Sequence, residues 1–273
     1  APSSAYIASA SGGIQLSSNA SVTVQNAPTE LNITKTNAVT GAAMSNITFT
    51  LLDASGNAVK LLKAADGTYR PDDNGNTTIV TDANGKAKIM YLPKGKYTLR
   101  ETTPAGYKPQ ADATINLTGG ANVAVKNEPL ALTLTKVDSF TGKTLAGIAF
   151  TLLDANGSAV KLTKKGNGLF HYDAAGSDTL TTGADGTAAI LYIPVGTYTL
   201  RETTATAAGY AKAKDVTVTV SNESGSESPA AVRFQNDPIT LEFNKSDALT
   251  KEPLDGGVFW LKDANGTVVK LRE

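Results

Sequence analysis

The sequence contains no cysteine and a single histidine, His171. The absence of cysteine excludes disulfide bonds, thiolate metal sites and a cysteine nucleophile. The histidine stands in the segment LFHY, where the pattern is typical of an exposed or half-buried strand residue, and no second histidine accompanies it as a ligand or base. We therefore expect no metal site, no cofactor and no enzyme acting on an external substrate.

An excess of one charge and long apolar runs are also missing. Lys plus Arg and Asp plus Glu each number 25, so the formal net charge is zero, and no basic cluster attracts nucleic acid or anionic lipid. No apolar run approaches the ~20 residues that cross a bilayer, and no signal peptide opens the sequence. We expect neither a nucleic-acid partner nor membrane contact in this part of the protein.

What the sequence does contain is internal repetition. The segment that begins LNITKT at Leu31 recurs from Leu132 and again from Leu241. The segment TDANGKAKIMYLPKGKYTLRETTPAGY, which begins at Thr81, recurs from Thr182 as the similar TGADGTAAILYIPVGTYTLRETTATAAGY. Repeats of this length indicate tandem copies of one folded unit.

The repeats divide the chain into four parts. We predict two complete domains, at residues 30–129 and 130–238. Residues 1–29 are expected to be the end of a preceding repeat, because SVTVQNAP parallels NVAVKNEP, and residues 239–273 the beginning of a following one. The sequence thus predicts a stretch of a longer array.

Each unit alternates apolar and polar residues with a period of two. The runs are bounded by turns such as Asn84-Gly85 and Asp185-Gly186, which are typical of β-hairpins. About seven short strands in ~100 residues predict two packed antiparallel sheets, so the predicted fold class is all-β, with tandem immunoglobulin-like sandwiches. The acidic run PDDNGN at 71–76 is read as a turn, with a calcium loop as the alternative.

The same alternation directs polar residues toward the core. Lys35 shares a face with Leu31 and Ile33, while Glu101 and Asn127 each follow inward apolar residues on later strands. The second unit repeats this set as Lys136, Glu202 and Asn236. One lysine, one carboxylate and one amide per unit are therefore predicted to point inward.

Two interpretations explain this placement. Burying two charges costs several kcal/mol each unless they pair or become neutral, so the set could be a buried Lys–Glu ion pair capped by asparagine. Alternatively, burial lowers the lysine pKa and raises the glutamate pKa, which permits chemistry. A neutral amine can attack the asparagine side-chain carbon while the carboxyl transfers protons and ammonia leaves, forming an amide between two side chains.

The first-strand lysine, the ETTPAGY segment at 101–107 and the closing strand followed by Asn-Glu-Pro resemble the Cna-B-type domains of Gram-positive surface adhesins and pilins. The second unit has ETTATAAGY, without the proline. The resemblance implies an inverse immunoglobulin-like sandwich with spontaneous Lys–Asn isopeptide bonds promoted by the glutamate. The implied pairs are Lys35 with Asn127, promoted by Glu101, and Lys136 with Asn236, promoted by Glu202.

Three further positions match the motif near the chain ends. Lys245 and Asn26 match the motif, but the sequences of their own partial repeats do not contain the rest of the lysine, glutamate and asparagine set. Reading Glu273 directly into Ala1 gives LREAPSSAY, in register with LRETTPAGY. Either these end segments pair with each other or with another chain, or the match of two residues is a coincidence.

The resemblance implies a structural function. We expect a stalk or shaft segment of an adhesin or pilus, extracellular and anchored to the wall of a Gram-positive bacterium, with neighbouring repeats or pilus subunits as partners. The alternative is an adhesin module that binds host matrix or glycan through the loop at 66–78 and Trp260. However, the alternation around Trp260 predicts a core position. The sequence contains neither an LPxTG sorting signal nor a convincing pilin-linking lysine motif.

Overall fold

The computed structural model describes residues 3–7, 25–204, 209–211 and 213–270. One 3₁₀ helix, Ser3–Ala5, precedes the strands. The strands through the first repeat are β1 (Tyr6–Ile7), β2 (Ala27–Pro28), β3 (Glu30–Asn37), β4 (Thr48–Leu52), β5 (Leu61–Lys63), β6 (Tyr69–Pro71), β7 (Ile79–Val80), β8 (Lys86–Met90), β9 (Gly95–Glu101), β10 (Ala113–Leu117) and β11 (Gly120–Asn127). Those of the second repeat are β12 (Ala131–Asp138), β13 (Ala149–Leu153), β14 (Leu162–Gly166), β15 (Leu169–Tyr172), β16 (Leu180–Thr181), β17 (Thr187–Leu191), β18 (Gly196–Glu202), β19 (Val216–Val220) and β20 (Ala230–Asn236).

Each repeat is built from two sheets. In the first repeat the strand orders are β11-β3-β8-β6-β5 and β10-β9-β4-β7, and in the second they are β14-β15-β17-β12-β20 and β16-β13-β18-β19. The predicted all-β sandwich class is confirmed. The strands exceed seven per repeat because several pairings involve only two or three residues, which are too short to show alternation.

The first and last strands of each repeat lie side by side and run parallel. In the first repeat Lys35 is opposite Val125, and Asn37 is opposite Asn127. In the second repeat β12 and β20 pair in the same manner. Because these two strands point the same way, the chain enters each sandwich at one end and leaves it at the other. Tension on the ends would therefore shear this pair along its length.

Alternation fixes what each strand contributes to the core. In β3 every second residue is buried, beginning with Leu31 and ending with Asn37, and the residues between are only partly covered. Phe49 and Leu99 approach from the opposite sheet and belong to the same apolar cluster. The second repeat has an equivalent cluster that includes Phe150 and Phe234. Each repeat therefore carries a core of its own.

The same contacts recur where one repeat meets the next. The carbonyls of Ala5, Gly106 and Gly209 accept hydrogen bonds of 3.0, 2.8 and 2.7 Å from the amides of Thr29, Leu130 and Ile239. The paired residues at these places are Tyr6 with Pro28, Tyr107 with Pro129 and Tyr210 with Pro238. The connections between repeats are therefore ordered and hydrogen-bonded.

The segment 239–270 has turns like those of the repeats but few sheet contacts. Isolated bridges join Ser246 to Pro253 and Lys262 to Val268. Trp260 is 74% exposed, so the core position predicted for it is wrong. The reason is that within the described residues no strand pairs with this segment to cover it.

None of the helices in the described part of the chain is long and apolar enough to cross a membrane.

Candidate functional site

Both first-strand lysines are fully buried. Lys35 on β3 and Lys136 on β12 each have an exposed fraction of 0%, which is exceptional for lysine. They are buried because the period of two continues the inward face of the apolar residues that precede them. The folded domain therefore holds an amine in its interior.

The carboxylates face these amines from the opposite sheet. Glu101 ends β9, where it pairs with Phe49. Glu202 ends β18, where it pairs with Phe150. Both carboxylates are half-buried. Each sandwich therefore brings a lysine and a glutamate together from strands of different sheets.

The asparagines complete the two clusters. Asn127 and Asn236 end the last strands and are fully buried. The Asn127 amide donates a hydrogen bond of 2.5 Å to Glu101 Oε1, and the Asn236 amide donates one of 3.1 Å to Glu202 Oε1. Since Lys35 is opposite Val125, two residues before Asn127 on the same face, amine and amide are diagonal neighbours across the strand pair.

Each cluster also contains buried oxygens without a hydrogen-bond partner among the described residues. They are Glu101 Oε2, Asn127 Oδ1, Glu202 Oε2 and Asn236 Oδ1. An unsatisfied buried oxygen costs about 1 to 3 kcal/mol. The same two atoms are unsatisfied in both repeats, so the arrangement belongs to the fold.

The lysine amines have only weak contacts. Lys35 Nζ donates to the Thr36 carbonyl at 3.4 Å and lies 3.5 Å from Met44 Sδ. Lys136 Nζ donates to the Val137 carbonyl at 3.3 Å. Among the described residues, no ion pair within 4.0 Å joins either lysine to its glutamate. The structure therefore lacks the contact that a buried Lys–Glu ion pair requires.

Burial brings the pKa values of Lys35 and Glu101 closer together. Desolvation lowers the pKa of Lys35 from 10.5 to about 8, against the opposing charge of Glu101. Desolvation raises the pKa of Glu101, against the Asn127 hydrogen bond and the Lys35 charge. The pKa of Lys136 is lowered for the same reason, opposed by Glu202 and Asp138. Burial thus favours an uncharged amine beside a carboxylic acid.

Residues next to the predicted set also line the cluster. Asn37 is opposite Asn127, and its amide donates hydrogen bonds to the Tyr107 hydroxyl at 3.4 Å and the Tyr192 hydroxyl at 3.1 Å. In the second repeat the corresponding residue, Asp138, is opposite Asn236. Sequence reasoning missed both, although extending the alternation two residues beyond each lysine would have found them.

The three remaining predicted positions are placed differently. Lys245 is exposed, and its segment lies outside the named strands. Asn26 is exposed and precedes β2. Glu273 lies outside the described residues. Neither Lys245 nor Asn26 is buried in the way that the lysines and asparagines of the two clusters are.

The only histidine is half-buried on β15, as the sequence predicts. Its ring packs edge-on against that of Tyr192, with the ring centres 4.7 Å apart. In the part of the chain that the structure describes, no group of three or more His, Asp or Glu side chains could hold a metal ion. The acidic run at 71–76 forms a turn in which the Asp72 side chain accepts the Asn74 amide at 2.8 Å.

A glycine fixes the backbone beside Lys35. Gly85 has a φ of +69°, its carbonyl accepts the Lys35 amide at 2.7 Å, and a Cβ built on it would collide with the Lys35 carbonyl oxygen. Gly85→Ala should therefore destabilise the first domain by about 2 to 3 kcal/mol, from backbone strain and displacement of β3. This loss is measured by unfolding the protein in denaturant and monitoring hydrogen exchange in each domain.

Gly56→Ala is the matched control. Gly56 has a φ of +84°, but no described atom lies within 4 Å of a Cβ built on it. Only the strain term remains, so the expected loss is about 1 kcal/mol. Equal losses in the two variants would contradict the claim that Gly85 is held against Lys35.

Comparison with known proteins gives a family. Residues 29–129 and 131–233 match the family described as SpaA, prealbumin-like fold domain. No curated protein sequence matches the chain.

Three solved structures illustrate the similarity. The Bacillus anthracis TIE protein is 22% identical, with 78% of this chain and 35% of that chain covered and a TM-score of 0.35. GBS52, the minor pilin of Streptococcus agalactiae, is 19% identical, with 80% of this chain and 100% of that chain covered and a TM-score of 0.35. The shaft pilin SpaA from Lactobacillus rhamnosus GG is 18% identical, with 78% of this chain and 99% of that chain covered and a TM-score of 0.39.

The chain thus spans about a third of the TIE protein and nearly all of the two pilins. The family match covers both sandwiches and agrees with the resemblance to Cna-B-type repeats. The chain belongs to the SpaA prealbumin-like domain family.

Proposed function

We propose that this chain is a load-bearing segment of an extracellular pilus or adhesin stalk, in which each complete domain is closed by a Lys–Asn isopeptide bond. One observation carries the proposal. In both repeats a fully buried lysine without an ion-pair partner within 4.0 Å in the described chain shares a core with a buried asparagine whose carbonyl oxygen is unsatisfied. These are the two reactants of amide formation. The family match over both sandwiches supports the stalk role.

The reaction needs no external reagent. The neutral Lys35 amine attacks Cγ of Asn127, and protonated Glu101 donates a hydrogen bond to the asparagine Oδ1 as negative charge develops there. A proton from the amine then reaches the amide nitrogen through the glutamate, the C–N bond to that nitrogen breaks, and ammonia leaves. Glu101 ends in its starting protonation state. Lys136, Asn236 and Glu202 have the same roles in the second domain.

The unsatisfied oxygens fit this chemistry. A half-turn of the Asn127 amide would exchange its nitrogen and oxygen, so that Oδ1 accepts a hydrogen bond from the protonated Glu101 carboxyl and is no longer unsatisfied. Such a bond polarises the carbonyl that is attacked. The raised pKa of Glu101 keeps more of the carboxyl in the required protonated form.

The position of the bond suits a stalk. It would join β3 to β11, the parallel strands through which the chain enters and leaves the domain. Tension would then pass from strand to strand through a covalent bond, and the residues between could not be extended. Unlike a disulfide, this bond cannot be reduced, which suits a protein without cysteine.

The proposal predicts the mass of the intact protein. The purified chain should be lighter than its sequence mass by two molecules of ammonia, one for each complete domain, as measured by mass spectrometry under denaturing conditions. Digestion should yield one branched peptide containing Lys35 and Asn127 and another containing Lys136 and Asn236. A chain with the full sequence mass, giving only linear peptides, would refute the isopeptide proposal.

A further inference from the structure

The two clusters differ at one residue beside the reactants. Asn37 in the first domain and Asp138 in the second each lie two residues beyond the buried lysine, on the same face of the first strand. Each is also directly opposite the asparagine of the last strand. Their exposed fractions are 6% and 8%. One domain therefore has a neutral amide next to the acceptor, and the other has a carboxylate.

The backbone role of the residue is the same in both domains. Asn37 Oδ1 accepts the amides of Val39 and Thr40 at 2.9 and 3.0 Å. Asp138 Oδ1 accepts the amides of the two corresponding turn residues, both at 2.8 Å. Either residue therefore supports the turn that follows the strand. Exchanging one for the other changes the charge at the cluster and leaves this support in place.

The surroundings keep Asp138 ionised. The Tyr210 hydroxyl donates a hydrogen bond of 2.6 Å to Asp138 Oδ2, and this bond, followed by that of the Thr141 amide, lowers the pKa of the carboxyl. In the first domain the corresponding tyrosine is Tyr107, whose hydroxyl receives the neutral Asn37 amide. The second cluster thus carries a fixed negative charge that the first lacks.

The charges acting on the two amines differ accordingly. Among the described residues, the charged group acting on Lys35 is Glu101, from β9. Two act on Lys136, namely Glu202 from β18 and Asp138 from its own strand. A second carboxylate stabilises the ammonium form, and only the free amine can attack the asparagine.

We infer that Asn37 and Asp138 set the rate and the pH dependence of amide formation in their own domains, with Asp138 slowing the closure of the second domain at neutral pH. The inference rests on the proposed isopeptide function and deepens it. Asp138 is a positioning residue, because it acts through Lys136 and forms no bond to the reacting atoms. The two domains of one chain would therefore close at different rates as the protein folds.

Testing this requires a chain whose bond has not yet formed. In the full-length chain, Lys35 or Lys136 is incorporated as a photocaged lysine, so that one domain stays open, that is, without its isopeptide bond, during expression. The purified chain is unfolded in guanidinium, irradiated to release the amine and diluted into buffers from pH 5 to pH 9. Loss of one ammonia is then followed by quenched-flow mass spectrometry, and hydrogen exchange shows that the domain has refolded.

The reciprocal variants give the decisive comparison. At pH 7 the second domain should close more slowly than the first, and Asp138→Asn should accelerate it by about three- to tenfold, because removing the carboxylate leaves more of the Lys136 amine uncharged. Asn37→Asp should slow the first domain by a similar factor. The pH midpoint of the rate should fall in Asp138→Asn and rise in Asn37→Asp, which a merely structural defect would not produce.

The two failures can be told apart. If neither uncaged wild-type domain loses ammonia after refolding, the isopeptide proposal fails, and the inference fails with it. If both domains lose ammonia but the exchanges leave the rates and pH midpoints unchanged, or move them in the opposite direction, only the inference is overturned.

Discussion

Replacing Glu101 with alanine should leave the first domain open and lower its free energy of unfolding by about 4 to 5 kcal/mol, while the second domain keeps its bond. Among the described residues, Glu101 is the carboxyl that is hydrogen-bonded to the Asn127 side chain, and its loss removes the group proposed to transfer the proton to the leaving nitrogen. The bond would close a loop of roughly 90 residues. A cross-link around a loop of that size stabilises the folded domain by about this free energy, because it restricts the unfolded chain.

Hydrogen exchange measured by mass spectrometry resolves this loss domain by domain. The single tryptophan, Trp260, lies outside both sandwiches, so tryptophan fluorescence would not report on either core. The intact mass should show one retained ammonia in Glu101→Ala, one in Glu202→Ala and two in the double variant. Glu101→Gln, which preserves side-chain volume, should behave like the alanine variant.

Glu30→Ala is the control for the loss of a carboxylate from the same domain. Glu30 forms an exposed ion pair with Lys88 at 2.9 Å, which contributes little to stability. This variant should retain both bonds and nearly all its stability. A Glu101→Ala chain that still lacks two ammonia molecules would show that the glutamate is dispensable for the reaction.

Much of this arrangement follows from strand periodicity. A period of two assigns side chains to faces without knowledge of the topology, so the alternation around Leu31 and Ile33 sufficed to direct Lys35 inward, where the structure buries it. Repetition supports the same prediction, because the lysine, glutamate and asparagine occur at matched positions in both units. Fold class and inward face were therefore predictable from local pattern alone.

Features that depend on pairing between distant strands were not predictable. Nothing local shows that β3 and β11 run parallel, and this pairing alone places Asn37 opposite Asn127. The missing Lys–Glu ion pair depends on distances of a few ångströms across the sandwich, which periodicity does not determine. Trp260 is exposed although alternation predicts that it faces a core, because alternation defines the face of a strand and not whether another strand covers that face.

Once the first domain is open, Lys35 should become a destabilising residue. In a Glu101→Gln background, Lys35→Met is expected to raise the free energy of unfolding by about 3 kcal/mol at pH 7. With Glu101 in place, burial lowers the pKa of this lysine from 10.5 to about 8, and losing that opposing charge lowers it further, so burying the amine costs free energy. Methionine fills a similar volume without a charge. In the wild-type domain the amine would already be an amide, so no such cost would remain.

The pH dependence gives the second test of Lys35. The Glu101 charge opposes the desolvation of Lys35, so in Glu101→Gln the folded pKa lies below the value of about 8 that it has with Glu101 present, and up to the unfolded value of 10.5 the unfolded chain binds more protons than the folded domain. The stability of the Glu101→Gln domain should therefore rise with pH across this window, since stability increases wherever the unfolded state holds the extra proton. Urea titrations from pH 7 to pH 10, read by hydrogen exchange in the first domain, should show this rise in Glu101→Gln and its loss when Lys35→Met is added. If Lys35→Met destabilises the open domain, or the rise persists without the lysine, the buried amine is not the titrating group.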